Sequence, residues 1–340
     1  MKPTYAQSGV DVRAVKAAQA SINALIASTS NTHTPDFLAG HYAGVFEVEG
    51  RRLTAHCDGV GTKLMVAQAL DKHDTVGIDA LAMNANDLIC VGSAPIVGVD
   101  YLAMSRLDEE LVEQVMAGLV AGCKEAGVAL IGGETAILPD MLKGDKTKKN
   151  PKRADYDLAM TVVGTLEREP ITGKEMRVGD ALIGLESSGL HSNGFTLARK
   201  LLPVKEWGKE MLTPTRLYVK PVLDMLKAHA SCMHGMAHIT GGAFSKLGRI
   251  GAHGNVGFEL DGLPKPQGVF AELEKKVGSQ YELYRTFNMG VGMVIACEKD
   301  AAEGVMKIAQ KHGASPSVIG HVVAKPDVVL VRGGKRISLL

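Results

Sequence analysis

Asp58-Gly59-Val60-Gly61-Thr62-Lys63 holds the residue types best suited to phosphate chemistry in this chain. Glycines let backbone N–H groups approach a phosphate, a lysine adds a mobile positive charge, and an acid beside them can hold magnesium. The segment is not a Walker A loop, because its order is Gly-Thr-Lys and Thr54 occupies the earlier glycine position. Leu64 replaces the last glycine of the dinucleotide fingerprint, which excludes that motif too. Taken alone, the segment reads either as a phosphate loop or as a glycine-rich turn with a surface lysine.

Further oxygen donors follow at Asp74, Asp79, Asn84, Asn86 and Asp87, a set that hard magnesium favours together with substrate phosphates. Asp87 sits on a helix whose other residues are apolar, so its carboxylate needs a reason. The plain alternative makes Asp74 a helix N-cap and leaves Asp79 and Asp87 in solvent. Glu134 follows Ile131-Gly132-Gly133, where α/β proteins place ligands beyond a strand, although an ordinary helix-start acid reads the same way. Ser187-Ser188-Gly189-Leu190-His191-Ser192-Asn193-Gly194 gathers hydroxyl, amide and imidazole groups before a helix, a composition that suits phosphate or proton transfer. A turn of capping residues would look similar. His238-Ile239-Thr240-Gly241-Gly242 is another donor-rich turn or a plain loop. Cys57 lacks a histidine-and-acid arrangement, His56 pointing to the other side of a strand, and reads as a packed thiol.

These groups need elements to hold them. Apolar spacing predicts an amphipathic helix over 11–28, a hairpin over 46–55 that delivers the chain to Asp58, and helices over 75–91 and 108–127. Strands are expected at 96–103, at 128–131 stopping at Gly132-Gly133, and at 157–166, with the basic run 143–153 as a solvated loop. Charge and Pro170 then interrupt the apolar pattern, which places a boundary between an N-terminal domain, 1–168, and a C-terminal domain, 169–340. The second half is expected to hold strands at 181–185 and 290–296 and helices at 195–202 and 214–229. The pattern is α+β or α/β in two domains.

Composition excludes several classes. The 340 residues include 38 basic and 37 acidic ones, so no global field recruits nucleic acid or an anionic membrane. No apolar run reaches the roughly 18 residues of a membrane-spanning helix, and residues 1–8 lead into no secretory-type apolar stretch. Five widely spaced cysteines without a C-x-x-C pair fit a reducing cytoplasm, and none pairs with histidines at zinc spacing.

Together the segments resemble the phosphoribosylformylglycinamidine cyclo-ligase (aminoimidazole ribonucleotide synthetase) family of de novo purine synthesis. The resemblance rests on residues 58–64, 73–79, 86–88, 132–136, 188–194, 238–242 and Arg285-Thr-Phe-Asn-Met-Gly-Val-Gly-Met293, in family order from about residue 5 to 325. It implies an N-terminal α+β domain that dimerises through its sheet into a barrel, a C-terminal mixed-sheet domain, and active sites in the clefts between them. It implies ATP-dependent closure of formylglycinamidine ribonucleotide to 5-aminoimidazole ribonucleotide, with ADP and phosphate released. By motif, Asp58, Asp87 and Glu134 would serve magnesium-ATP, with Asp74 a further metal candidate. Gly59, Gly61, Thr62 and Lys63 would meet the phosphates. Ser188, Gly189, His191, Ser192, Asn193 and Gly194, with Thr240 and Gly241, would meet the ribonucleotide, and His191 would orient or protonate it. The loop 40–44, the stretch 137–141 and the lysine-rich insert depart from the commoner bacterial pattern. Selenophosphate synthetase, thiamine monophosphate kinase and the hydrogenase-maturation dehydratase are the nearest rivals. The first is disfavoured by the absence of cysteine in residues 1–56, and the third by the C-terminus Ser338-Leu339-Leu340. A catalytically silent nucleotide-binding regulator is the rival from another class, against which the full carboxylate set argues.

Overall fold

A computed structural model describes residues 22, 23, 25–34, 41–142 and 148–340. Most of the expected helix 11–28 lies outside the described residues; residues 22, 23 and 25–27 are helical. The chain enters a hairpin, β1 (Gly44–Val48) and β2 (Arg51–Gly59), through the tight turn at Glu49-Gly50, both at positive φ. A 3-10 turn, Gly61–Lys63, leads into α1 (Leu64–Leu70), and α2 (Val76–Cys90) follows. Strand β3 (Ala94–Met104), helix α3 (Glu109–Ala126), β4 (Ala129–Ile137) and β5 (Tyr156–Leu166) complete the first unit. Its sheet has the order β1-β2-β5-β3-β4, antiparallel except for the parallel β3–β4 pair at its edge. Asp108 caps α3 by accepting from the Leu111 N–H at 3.2 Å, and Gly127 ends it in the left-handed conformation.

The second unit contains β6 (Ala181–Glu186), α4 (Phe195–Leu201), α5 (Val204–Met211), α6 (Val219–His229), β7 (Met233–His238), α7 (Leu247–Gly254) and β8 (Gly257–Leu260). Helices α8 (Gly268–Val277) and α9 (Gln280–Thr286), strand β9 (Val291–Cys297), helix α10 (Ala302–Lys311) and strands β10 (Pro316–Val323), β11 (Val328–Arg332) and β12 (Lys335–Ser338) follow. They form a mixed seven-stranded sheet, β12-β11-β8-β10-β6-β9-β7, in which β11 runs parallel to β8. β9 is buried along its whole length, as expected of an apolar run between two strand neighbours and covering helices. The architecture is therefore two α+β units with mixed sheets, the sheets parting between Leu166 and Ala181.

Three expectations need correction. Strand β4 does not stop at Gly132-Gly133 but runs on to Ile137, because its backbone ladder to β3 shifts register past Ile131 and Gly132 and resumes with Gly133 opposite Asp100. A Cβ at Gly133 would lie 2.3 Å from Asp100 Oδ1, so glycine is what lets β4 pass this carboxylate. The end of the basic run is not a solvated loop: Lys148 Nζ is 3.1 Å from the Asp155 carboxylate, and Arg153 binds Asp71 at 3.1 Å and Asp108 at 3.0 Å. Helix α6 begins at Val219 rather than 214, the preceding residues being drawn into contacts with the first unit, and α5 was not anticipated.

Helix α2 lies between the units, packed against α3, β2 and β5 on one side and β7 and α6 on the other. The α2–α3 contact is close because it is built on glycine. A Cβ at Gly77 would sit 2.1 Å from Leu119 N, and one at Gly118 would sit 2.4 Å from Asp74 O. Backbone cannot yield as a side-chain tip does. Gly118→Ala is therefore expected to cost about 2 kcal/mol or more by overpacking, despite the better helix propensity of alanine, read as a lowered urea midpoint with unchanged slope. A midpoint at or above that of the parent protein would show that the helices separate freely here.

Candidate functional site

Helix α2 carries four buried polar side chains, Asp79, Asn84, Asn86 and Asp87, on a helix with an almost wholly apolar remainder. Positions 79, 83, 86, 87 and 90 recur at helical spacing and share one face. That face meets the second unit. Asp79 receives Ser192 and Thr215, Met83 Sδ lies 3.9 Å from Asn193 Nδ2, and Cys90 Sγ lies 3.8 Å from Met293 Sδ. Asn86 donates to Arg216 O at 2.8 Å and accepts from the Tyr218 N–H at 2.9 Å. Asn84 turns the other way, to the Asp58 carbonyl at 3.1 Å and His56 Nδ1 at 3.0 Å.

Lys63 points into this seam rather than into solvent. Its ammonium, fully buried, donates to Asp79 Oδ1 at 2.9 Å and to Thr213 O at 2.6 Å. Asp79 Oδ1 also accepts from the Thr215 N–H at 2.7 Å and the Thr215 hydroxyl at 2.6 Å, while its Oδ2 has no partner among the described residues. Burial pulls the Lys63 pKa down, and the adjacent Asp79 opposes it. One ion pair thus ties β2's end and α2 to the loop 213–215 of the second unit.

Asp58 and Asp87 form the other half of the site. Asp87 Oδ1 lies 2.7 Å from His238 Nδ1, and its Oδ2 lies 3.5 Å from His56 Nε2. Burial by itself would raise the Asp87 pKa, but Lys246 and His238 beside it bring it to about 2. Asp58 accepts from the Gly59 N–H at 2.8 Å and lies within electrostatic range of His238 and Lys246. The Lys246 ammonium bonds the Thr240 hydroxyl. Two carboxylates opposite a lysine and two imidazoles, at the junction of two units, make a centre suited to a hard divalent cation and a polyphosphate.

The loop 188–194 closes the far side. Gly189 and Gly194 take positive φ, and so does His191, at 60°. His191 is fully buried, its Nε2 accepting from the Ser188 N–H at 3.2 Å, its ring 6.1 Å from that of His238 and 6.3 Å from that of Tyr218. Burial holds its pKa well below the ordinary histidine value, so the imidazole is neutral. Space for it exists because residue 292 is glycine, where a Cβ would stand 2.4 Å from His191 Cε1 and 2.1 Å from Tyr218 Oη. A cavity of about 580 Å³ opens beside Ser187, Ser188 and Gly189, walled also by Lys265, Gln267 and Ser317.

The structure brings together Asp58, Asp87, Lys63, Ser192, Asn193 and the Thr240–Gly241 turn along one seam, with Gly59 and the exposed Gly61 and Thr62 at its N-terminal end. Glu134 is not part of this group. It is exposed on the edge strand β4, three strand spacings or roughly 14 Å from β2 across the sheet. Asp74 is exposed and paired with Lys72 at 2.7 Å; it is not the cap of α2. Among the described residues, no three His, Cys, Asp or Glu side chains gather as one metal-ligand set, so the four acids do not meet as a cage. Cys57 is exposed rather than packed, because strand alternation sends His56 and Asp58 to the seam and Cys57 to the opposite face. Sequence reading gave no role to His56 or Lys246, named His238 only as the start of a donor-rich turn, and missed the part played by Asp79. The signal available was the 79/86/87 spacing of polar residues on an apolar helix.

Two measurements test these electrostatics. Asp79→Asn leaves the Lys63 ammonium buried without its counter-charge and is expected to cost about 3–5 kcal/mol in urea unfolding; a loss below about 1 kcal/mol would show the pair to be dispensable. Because the folded pKa of Asp87 is depressed, its stabilisation is present above about pH 4 and lost as the pH falls towards 2, an effect of about 2 kcal/mol. Asp87→Asn should therefore flatten the acid arm of the stability profile between those limits, and an unchanged arm would contradict the assignment.

Comparison with known proteins agrees with this geometry. The family described as AIR synthase related protein, N-terminal domain, matches residues 40–166, and the corresponding C-terminal domain family matches residues 177–333. A phosphoribosylformylglycinamidine cyclo-ligase of Methanocaldococcus jannaschii is 42% identical over 98% of this chain and 95% of its own length. Another, from Thermococcus kodakarensis, is 41% identical over 96% and 97%. Among solved structures, a HypE–HypF complex matches with a TM-score of 0.69 at 18% identity, over 94% of this chain and 98% of that one. The thiamine-monophosphate kinase of Stenotrophomonas maltophilia matches with a TM-score of 0.65 at 19% identity, over 94% and 97%; at such identities the likeness is one of fold. The seam, the two units and the near full-length relatives lead to one conclusion: the chain belongs to the AIR synthase related family, among the phosphoribosylformylglycinamidine cyclo-ligases.

Proposed function

We infer that this chain closes the imidazole ring of a purine precursor, converting formylglycinamidine ribonucleotide and ATP to 5-aminoimidazole ribonucleotide, ADP and phosphate. The observation that carries the reading is the meeting of Asp58 and Asp87 with His238 and the 188–194 loop on one seam. A formyl oxygen leaves poorly until ATP phosphorylates it. The ribosyl-bearing nitrogen then attacks the formyl carbon, and the C–O bond breaks to release phosphate. Such a reaction asks the protein for charge neutralisation and positioning more than for a nucleophile. Magnesium, held by Asp58 and Asp87, would neutralise the phosphates.

The remaining assignments belong to the same proposal. Gly59, Gly61 and Thr62 face the nucleotide phosphates. Ser188, Gly189, Ser192, Asn193, Gly194, Thr240 and Gly241 hold the ribonucleotide, with His191 fixing the loop around it. Lys63 serves through the domain seam, since its ammonium is already committed to Asp79. The protein works as a cytoplasmic homodimer closed through the first sheet. Strand β4, which has no second strand neighbour among the described residues, and the exposed Val99, Tyr101, Ile131 and Ile137 on β3 and β4 support that assembly. A two-domain organisation divided near residue 168 fits the parting of the sheets. Among the described residues no helix is long and apolar enough to cross a membrane.

The test is turnover of the purified protein with formylglycinamidine ribonucleotide and magnesium-ATP. ADP and aminoimidazole ribonucleotide should appear in equal amounts, and Asp58→Asn should lower kcat by about a hundredfold or more while the melting temperature stays put. ADP formed with thiamine phosphate, or none formed with the ribonucleotide, would overturn the reading.

A further inference from the structure

Next to the carboxylate pair stand three basic side chains and a tyrosine to which the cyclo-ligase reading gives no task. Lys246 closes the short turn after Gly242, Arg249 lies in α7, and His41 and Tyr42 come from the residues that enter β1. The four meet across the seam. The Lys246 ammonium lies 5.3 Å from the Tyr42 ring centroid, and the His41 ring lies 5.7 Å from Tyr42 and 5.4 Å from His253. Arg249 is within electrostatic range of Lys246, His41 and Tyr42.

Two features separate this cluster from an ordinary ion-pair network. Arg249, half-buried, has no hydrogen-bond or ion-pair partner among the described residues. The Tyr42 hydroxyl is a buried group without a hydrogen-bond partner among the described residues, on a side chain only 1% exposed. A guanidinium and a buried hydroxyl that find no partner among the described residues, beside a half-buried ammonium, leave hydrogen-bond capacity that an anion would fill. Charge balance points the same way. Lys246 and Arg249 together match Asp58 and Asp87, so a divalent cation on the two carboxylates would free both basic groups for a dianion. The planar guanidinium suits a tetrahedral oxyanion, which it can grip with two N–H groups.

The geometry points to a phosphoryl-binding subsite formed by Lys246, Arg249 and the Tyr42 hydroxyl on the C-terminal side of the seam. It rests on the ATP-using reading above for its ligand class, and two sources can supply that group: the terminal phosphate of the nucleotide or the 5′-phosphate of a ribonucleotide. His41, which burial keeps neutral by lowering its pKa to about 4, walls the subsite and holds Tyr42 in place through Nε2 on Thr172 O at 3.2 Å.

Binding of inorganic phosphate to the full chain with magnesium present, followed by calorimetry, tests the subsite without turnover. Its failure is therefore distinct from failure of the cyclo-ligase reading. Lys246→Met and Arg249→Gln should each weaken phosphate about tenfold or more, and Tyr42→Phe should weaken it less, with melting temperatures near that of the parent. Arg249→Lys should recover part of the loss. Two further titrations separate the sources. If the subsite takes the nucleotide's terminal phosphate, Lys246→Met erases the preference for a non-hydrolysable ATP analogue over ADP. If it takes the ribonucleotide's phosphate, the same variant weakens ribose 5-phosphate and spares the analogue. Parental affinity for phosphate in a folded Lys246→Met or a folded Arg249→Gln protein would overturn the proposal. Should one variant fail to fold, the other decides it.

Discussion

Almost everything in this molecule follows from placing α2 between two sheets while giving it Asp79, Asn84, Asn86 and Asp87 to bury. A buried polar group without a partner costs on the order of 1–3 kcal/mol, and a charge costs more. The neighbours must therefore supply partners at fixed places, and each partner comes from an element that would otherwise be free to move. His56 and the Asp58 carbonyl fix β2 against Asn84; Thr213, Ser192 and Thr215 fix two loops of the second unit around the Lys63–Asp79 pair. Tyr218 and His238 fix the start of α6 and the end of β7. The mutual orientation of the two units is thus set by side chains of one helix, which is the condition for a site assembled from both.

That arrangement also sorts the charges. At one end of the helix face an ammonium and a carboxylate cancel inside protein, with no solvent to weaken them. At the other, Asp87 keeps its charge because Lys246 and His238 outweigh the effect of burial. A carboxylate held ionised near the mouth of a seam is ready for a cation, whereas one locked to Lys63 is not. The same helix therefore carries two buried acids two turns apart, one locked to a lysine and one held ionised at the seam, distinguished only by what faces them.

Much of the scaffold was legible because it follows local rules. The β1–β2 hairpin, α2, α3 with its Asp108 cap and Gly127 stop, and β5, β6 and β9 all declare themselves by period and end signals. What escaped was set by partners remote in sequence. Gly132-Gly133 looks like a strand terminator until β3 is alongside to continue the ladder, and Arg153 looks like one more solvated base until Asp71 and Asp108 arrive. The carboxylates of the site were visible as residue types; that Asp58 and Asp87 converge while Glu134 and Asp74 stay outside depends on sheet order, which local pattern does not encode.

The glycine segment at the end of β2 shows how far residue types alone can lead. Asp58 and Lys63 are five residues apart, and as a motif they suggest an acid and a base serving one phosphate. The 3-10 turn at Gly61–Lys63 sends them in different directions, Asp58 to the seam's mouth and Lys63 to its floor. An ammonium whose bonds to Asp79 and Thr213 hold two units together cannot also swing out to follow a phosphoryl group without releasing both. Mobile positive charge must then come from elsewhere on the seam, and the side chains free of such duty lie on the second unit, at Lys246 and Arg249. In this chain the segment fixes the carboxylate and the frame, and the partner unit contributes the cations that meet the anion.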